Sequence, residues 1–308
     1  MFSCFIPSIF DSRLLGLNFT ETWRHDTYPY IDPTKADLTG KNVLITGASK
    51  GIGKATAISY AKAGASGIAL AARSDLSTIV QSVKEAAQTA GRAEPNVITL
   101  NLDVTNRLSV DSAAEKLSSA FASLDVLVNN AGYLSDFASI LDSDPDSWWR
   151  DWEVNVKGMY LVTRAFWPLL LQSHLKLIIN MASIGATFMP PLCSSYTTTK
   201  LAVMRLTEYI NQDHGAGTDG VLAIAVHPGG VMTELASNMP EDMHGLLIDT
   251  PELAADTFVW MSGERREWLG GRYVAVNWDV EELGKRIDEI VKGDLLKVRL
   301  AVNVLGTL

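Results

Sequence analysis

The sequence predicts an α/β fold: a single domain on a doubly wound parallel sheet of about seven strands, with helices on both faces. Three observations carry that expectation. Apolar, strand-like runs alternate with helical stretches along the chain. The connections between them reach about ten residues or more, as crossovers between parallel strands require. The first run, Val43-Leu44-Ile45, passes directly into a glycine-rich turn and a helix-like segment. With 308 residues, 47% hydrophobic and 20% charged, the chain has material for one sizeable core. Residues 1–40 read as an N-terminal arm, 41–280 as the domain, and 281–308 as a tail packed on it.

The arm opens with the apolar MFSCFIPSIF, which has no Lys or Arg ahead of it and Pro7 in its middle, a poor pattern for a signal peptide. It either packs on the body or serves membrane-surface or organelle targeting. Residues 21–40 are polar, with Pro29 and Pro33, and read as an extended lead into a body that begins near Gly40. Strands are expected at 43–46, 67–72, 97–103, 126–129, 177–182, 221–227 and 273–276. Between the second and third, Ile79, Val80, Val83 and Ala87 recur at helical spacing, and Asp75 stands where its carboxylate would cap that helix. Residues 144–172 carry Trp148, Trp149, Trp152 and Trp167, either core and subunit-contact residues or a ligand-stacking surface. A helix over 194–209 follows. No stretch approaches the roughly 20 apolar residues that span a bilayer.

A net charge of −9 argues against general affinity for nucleic acid or anionic membrane, leaving only local basic sites open. The only cysteines, Cys4 and Cys193, form no disulfide framework and no zinc pattern, and the five histidines are scattered. No metal site is expected, His227 reads as structural, and a reducing, cytoplasmic location fits.

Two stretches carry chemistry. Thr46-Gly47-Ala48-Ser49-Lys50-Gly51-Ile52-Gly53 reads as a tight turn between strand and helix, gathering backbone N–H groups and a helix dipole around one point, where a pyrophosphate would sit. Alone, such a turn is equally a simple connection. In SIGATFMPPLCSSYTTTK, Ser183 ends the fifth strand and Tyr196 and Lys200 stand four residues apart, one helical turn on one face. A neighbouring ammonium would bring the phenol's pKa down and fit Tyr196 for acid–base work, although a Tyr-x-x-x-Lys pair alone is common on helix surfaces.

Together with Leu102-Asp103-Val104, Asn129-Asn130-Ala131-Gly132, Asn155 in VNVKG and Pro228-Gly229-Gly230-Val231-Met232-Thr233, these stretches occur in the order and spacing of the short-chain dehydrogenase/reductase family, which the chain resembles over about residues 38–280. The arm YPYIDPTKADLTGK and the tail RYVAVNWDVEEL resemble those of filamentous-fungal members. The resemblance implies a Rossmann-type fold and assigns roles. Tyr196 is the general acid in reduction; Lys200 lowers its pKa and holds the nicotinamide ribose. Ser183 binds the substrate oxygen, and Asn155 anchors a water relay to the lysine. Gly47, Ser49, Ile52 and Gly53 form the pyrophosphate turn. Asp103 and Val104 contact adenine, Asn129 and Gly132 flank the ribose, and Val231 and Thr233 meet the carboxamide. Enoyl reductases of the same fold place more residues between Tyr and Lys, so a carbonyl or alcohol substrate is preferred.

Ala72 aligns with the position where NAD-specific members carry an acid for the ribose 2′-hydroxyl. Arg73 follows it, Ser74 adds a hydroxyl and Lys50 a second cation, a set suited to a 2′-phosphate and hence to NADP(H), with NAD(H) as the alternative. The other reading makes Arg73 a solvated loop residue and sends Asp75 to the 2′-hydroxyl. The loops 184–195 and 232–250 supply Phe188, Met189, Leu192, Leu235 and Met239, which either line a cleft for a bulky apolar ketone or aldehyde or close the loops onto the body. The resemblance further implies a homo-oligomer, a dimer or tetramer, through the helices of 144–172 and 194–212. An NAD-linked alcohol dehydrogenase or a redox-neutral member is the alternative enzyme. A dinucleotide-binding sensor that lost its chemistry would lack the Ser, Tyr or Lys, and all three are present.

Overall fold

Seven segments pair in parallel in the computed structural model, which describes residues 16–300: Asn42–Thr46 (β1), Gly67–Ala72 (β2), Asn96–Asn101 (β3), Val126–Asn129 (β4), Leu177–Met181 (β5), Leu222–His227 (β6) and Tyr273–Ala275 (β7). Their order in the sheet is β3-β2-β1-β4-β5-β6-β7. This is the predicted doubly wound sheet. The helices are Gly51–Lys62 (α1), Ser77–Thr89 (α2), Arg107–Ser118 (α3), Pro145–Trp152 (α4), Met159–Leu171 (α5), Ser194–His214 (α6), Pro251–Gly263 (α7), Val280–Gly284 (α8) and Ile287–Lys292 (α9).

The strand residues alternate between two cores. Val43 and Ile45, Val126 and Val128, and Leu177 and Ile179 face the core shared with Tyr60 of α1, Val83 of α2 and Phe258 of α7. Leu44, Leu127 and Ile178 face the other, with Leu117 of α3 and Phe166 and Leu170 of α5. Each such side chain, fully buried, contributes roughly 1.5–3 kcal/mol of transfer free energy, so the register is strongly specified.

The chain runs outward from β1 to β3 and then crosses back to β4, so the C-terminal ends of β1 and β4 diverge at the switch point, where such sheets open a crevice. The third strand is shorter than its apolar run. Its ladder ends at Asn101 because the Asp103 carboxylate accepts from the N–H (2.9 Å) and the hydroxyl (2.7 Å) of Thr105, turning the chain away. Beyond residue 209 the catalytic-segment helix continues to His214. The tryptophan-rich stretch is not one helix: a π-helical turn, Glu153–Gly158, separates α4 from α5.

Arm and C-terminal segment are bound to each other. Trp23 bridges Trp278 in antiparallel fashion, Arg24 pairs with Asp279 at 2.7 Å, and Thr22 donates to Glu282 at 2.6 Å. At the far end, the N–H of Tyr273 donates to Leu296 O, and that of Val298 to Glu208. Residues 1–15, with Cys4, and 301–308 of the expected tail lie outside the described residues. No helix among the described residues is long and apolar enough to cross a membrane.

Candidate active site

Turn, strand ends and catalytic-segment helix meet at the C-terminal edge of the sheet. Gly47 adopts φ 65°, and a Cβ there would stand 2.9 Å from Asn130 Nδ2. Asn130 itself donates to the carbonyls of Thr46 (2.8 Å) and Gly47 (3.2 Å), and the Thr46 hydroxyl accepts the N–H groups of Asn130 and Ala131 at 3.0 Å. The β4 end thus holds the turn in place. Next in the chain, α1 begins with no side chain capping its N-terminus, leaving its first N–H groups directed at the crevice, where a phosphate would accept from them. Gly51, at φ 53°, brings the turn against Thr233: a Cβ there would lie 3.0 Å from its methyl group.

At the β4 end, Asn129 is buried and donates to Thr163 (3.0 Å) and Asn180 (2.8 Å), so its side chain joins β4, α5 and β5. Gly132 leaves room for Leu235 and Asn155, whose atoms lie 3.5 Å from where its Cβ would be. Asn155, buried in the π-helical turn, accepts the N–H of Tyr133 (2.8 Å) and donates to the Tyr133 carbonyl (2.9 Å) and the Thr199 hydroxyl (3.1 Å). Val104 packs against Gly158 at the end of that turn, where a Cβ would meet it at 2.7 Å.

The spacing argument for Tyr196 and Lys200 holds: both lie on one face of α6, the lysine Nζ 5.4 Å from the tyrosine ring centroid and donating to the Met181 carbonyl at the end of β5 (2.7 Å). The Ser183 hydroxyl accepts the Gly185 N–H (3.1 Å) and lies near enough to Tyr196 to favour its ionised form. The expected effect of the lysine on the phenol is not found. Burial raises the Tyr196 pKa well above its ordinary value, against the lowering effect of Ser183. Burial likewise brings Lys200 down to about 8, opposed by the Asp151 carboxylate. Both shifts are toward the neutral forms, with Lys200 buried and Tyr196 half-buried.

Just beyond β2, Arg73 and Ser74 are exposed. Asp103 is held low: burial alone would raise it, but Thr105 and the Arg73 guanidinium outweigh burial. Asp75 accepts from the N–H (3.2 Å) and hydroxyl (2.5 Å) of Ser77 but is not the helix cap it was expected to be: Leu76 holds the N-cap position, and no side chain caps α2. Lys50 is engaged elsewhere, in an ion pair with Glu234 that crosses from the glycine turn to the loop after β6. Ser49 and Ile52 lie in the turn, half-buried, and Gly53 is buried beneath it. Val231 is buried and bridges Asp249; Thr233 accepts the Ala236 N–H at 3.2 Å.

The residues expected to line a substrate cleft divide. Phe188, Leu235 and Met239 are half-buried, and Leu235 faces Gly132, whereas Met189 is 87% exposed and Leu192, at φ 64°, is also exposed. Thr46, Gly51 and Asn130 lie within the stretches that the sequence singles out, but none of the three had an individual role there. The doubled asparagine in NNAG was the available signal for Asn130.

A family model described as short chain dehydrogenase matches residues 41–244. Among curated proteins, "Short chain dehydrogenase mpl6" of Monascus purpureus is 50% identical over 287 residues, covering 93% of this chain and 98% of that one. "Short chain dehydrogenase andI" of Emericella variicolor is 40% identical over 92% of this chain and 97% of its own. Among solved structures, a short chain dehydrogenase from Shigella flexneri complexed with NADP superposes with a TM-score of 0.70 at 23% identity, over 79% of this chain and 99% of that one.

Proposed function

The chain belongs to the short-chain dehydrogenase/reductase family of NAD(P)-dependent oxidoreductases, and we propose that it uses NADPH to reduce a bulky, largely apolar ketone or aldehyde to an alcohol. The observation that carries this reading is the convergence of Ser183, Tyr196 and Lys200 at the end of β5, beside an uncapped helix N-terminus and a glycine turn. A nicotinamide dinucleotide held here would supply the hydride for the carbonyl carbon. Ser183 and Tyr196 hold the carbonyl oxygen by hydrogen bonds that strengthen as negative charge develops there. Tyr196 transfers its phenolic proton to that oxygen, giving the alcohol and leaving a phenolate that faces the Lys200 ammonium. Burial keeps Tyr196 in the protonated form that can donate, and penalises the phenolate that donation leaves, so the Lys200 ammonium beside it is what would offset that cost. Asn155 fixes residue 133 and Thr199 around the pair and so acts by positioning.

The α1 N-terminus and residues 47–53 would hold the pyrophosphate, Asp103, Val104, Asn129 and Gly132 the adenosine side, and Val231 and Thr233 the carboxamide. Arg73 and Ser74 stand where a 2′-phosphate would need them. The NADP bound to the Shigella protein is in keeping with this choice. A second reading, an NAD-linked alcohol dehydrogenase, draws support from the Lys50–Glu234 pair, which leaves Arg73 as the cation for the phosphate. Exposed Trp149 and Tyr160 border an apolar hollow of about 430 Å³ with Trp152, Val156 and Leu206, a surface suited to a second copy of the chain.

The test is NADPH consumption with a panel of lipophilic ketones and small charged keto acids, in the wild type, Tyr196→Phe and Arg73→Ala. Reduction of the lipophilic members that falls at least about a thousandfold in Tyr196→Phe supports the reading. A fully active Tyr196→Phe overturns the proton assignment. NADPH affinity unchanged in Arg73→Ala moves the coenzyme assignment to NAD(H).

A further inference from the structure

A buried carboxylate lies behind the tyrosine–lysine pair and has no part in the chemistry described so far. Asp151, in the last turn of α4, is 0% exposed. Its Oδ2 accepts the Ser135 hydroxyl at 2.5 Å and its Oδ1 the Ser135 N–H at 3.3 Å. Ser195, the residue before Tyr196, lies within hydrogen-bonding reach of the same carboxylate and donates its hydroxyl to the Trp148 carbonyl at 2.5 Å. Four residues further on, Asn155 grips Tyr133 and Thr199 from the next turn. Two polar side chains one turn apart therefore bind the segment 133–135 and the first turns of α6 to the same helix face.

A buried carboxylate is costly unless hydrogen-bonded, and an apolar residue at position 151 would fill the space without that cost. Burial raises the Asp151 pKa above the ordinary carboxylate value, while the hydrogen bonds from Ser135 and the charge of Lys200 favour its ionised form. The charged group facing it is Lys200, and the other titratable groups are Tyr196 and Cys193, all on or beside the start of α6. We propose that Asp151 is a positioning residue for proton transfer: anchored by Ser135, it fixes the first turn of α6 and places a fixed negative charge behind Lys200 and Tyr196. That charge favours the ammonium form of Lys200, which burial alone disfavours. The proposal rests on the proton-transfer roles given above to Tyr196 and Lys200.

The test is the titration of Lys200 in ligand-free protein, read from the side-chain carbon resonances of 13C-lysine-labelled wild type and Asp151→Asn and assigned with Lys200→Met. The asparagine keeps the shape and an acceptor for Ser135 but removes the charge. The wild-type midpoint is expected near 8, and in Asp151→Asn it falls by about one pH unit. The alkaline limb of NADPH-dependent ketone reduction is expected to move to lower pH by a similar amount. An unmoved Lys200 midpoint, or an unmoved alkaline limb, in a folded variant overturns the proposal. Should Asp151→Asn fail to fold, the wild-type Asp151 carboxyl carbon gives the answer. An inflection at the Lys200 midpoint supports the coupling, and a flat signal there overturns it. The lysine titration needs no turnover, so a protein that reduces no ketone would count against the proposed function and leave this result standing.

Discussion

Gly53→Ala tests the claim that the glycine turn is fixed by its contact with the β4 end. The residue sits in the first turn of α1, and its backbone is not in the left-handed region, so alanine's φ/ψ preferences raise no objection. Space does. A Cβ there would lie 2.3 Å from the Gly47 carbonyl oxygen and 2.6 Å from Asn130 Nδ2, against about 3.4 Å for an ordinary contact, so turn and helix must separate by about 1 Å. The obstructing atom is backbone and cannot swing aside. Such overpacking costs about 1–3 kcal/mol, and alanine's helix propensity returns under about 1 kcal/mol, leaving a net loss of about 1–2 kcal/mol and a fall in Tm of roughly 2–8 °C. The shift also parts Asn130 from the carbonyls of Thr46 and Gly47 and displaces the N–H groups proposed to meet the pyrophosphate, so NADPH affinity should drop by about tenfold or more. Thermal melts and calorimetric NADPH titrations measure both. Gly284→Ala, whose Cβ would have nothing within 4 Å, is the control and should leave both unchanged or slightly raise Tm. A Gly53→Ala protein with wild-type Tm and wild-type NADPH affinity would refute the reasoning.

His227 gives a pH signature. Burial brings its pKa down to about 4, against the raising effect of Asp249. Between the ordinary value of 6.5 and about 4 the unfolded chain binds a proton that the folded chain does not, so stability is full above 6.5 and is lost as pH falls through about 4. Melts across that window should show a decline of up to about 3 kcal/mol that His227→Asn largely flattens; parallel curves would reject it. Trp149→Glu, at a residue 56% exposed on the apolar hollow, should halve the apparent mass in analytical ultracentrifugation if that face meets a second copy, and an unchanged mass rejects the interface. Glu234→Gln removes the charge that pairs with Lys50 and should raise amide exchange across residues 234–246 while leaving 228–231 protected; uniform exchange along the loop would contradict this.

What the sequence disclosed follows what local chemistry determines. The strands were legible because runs such as Val43-Leu44-Ile45 and residues 67–72 are buried on both faces of a parallel sheet and so are apolar throughout. The Tyr196–Lys200 face was legible because helical periodicity alone places it. Other features depend on partners far away in the chain. Nothing local shows that Asn130 props the turn, eighty-odd residues away, or that the helix of 144–172 changes to a π turn at Glu153–Gly158. The sign of the phenol's shift was misjudged for a related reason. Proximity of an ammonium argues for a lowered pKa, whereas depth of burial, which the sequence does not state, outweighs it.

The same distinction between near and distant contacts explains how the loop after β6 is built. Its two ends are joined: the N–H of Gly230 donates to Asp249 at 2.6 Å, and Val231 bridges Asp249. Asp249 is in turn held by His25 of the arm at 2.5 Å and by Asn277 at 2.9 Å, more than twenty residues away in either direction along the chain. A Cβ at Gly229 would stand 2.6 Å from that carboxylate, so the neck closes only with glycine there. The arm therefore supports the active site from behind, through a carboxylate that is itself buried. The body of the loop is held differently, by Asn238 on the Leu134 carbonyl (3.1 Å) and by the exposed Lys50–Glu234 pair. An exposed ion pair contributes about 0–1 kcal/mol, so Lys50–Glu234 ties the tip more weakly than the buried Asp249 junction ties the neck.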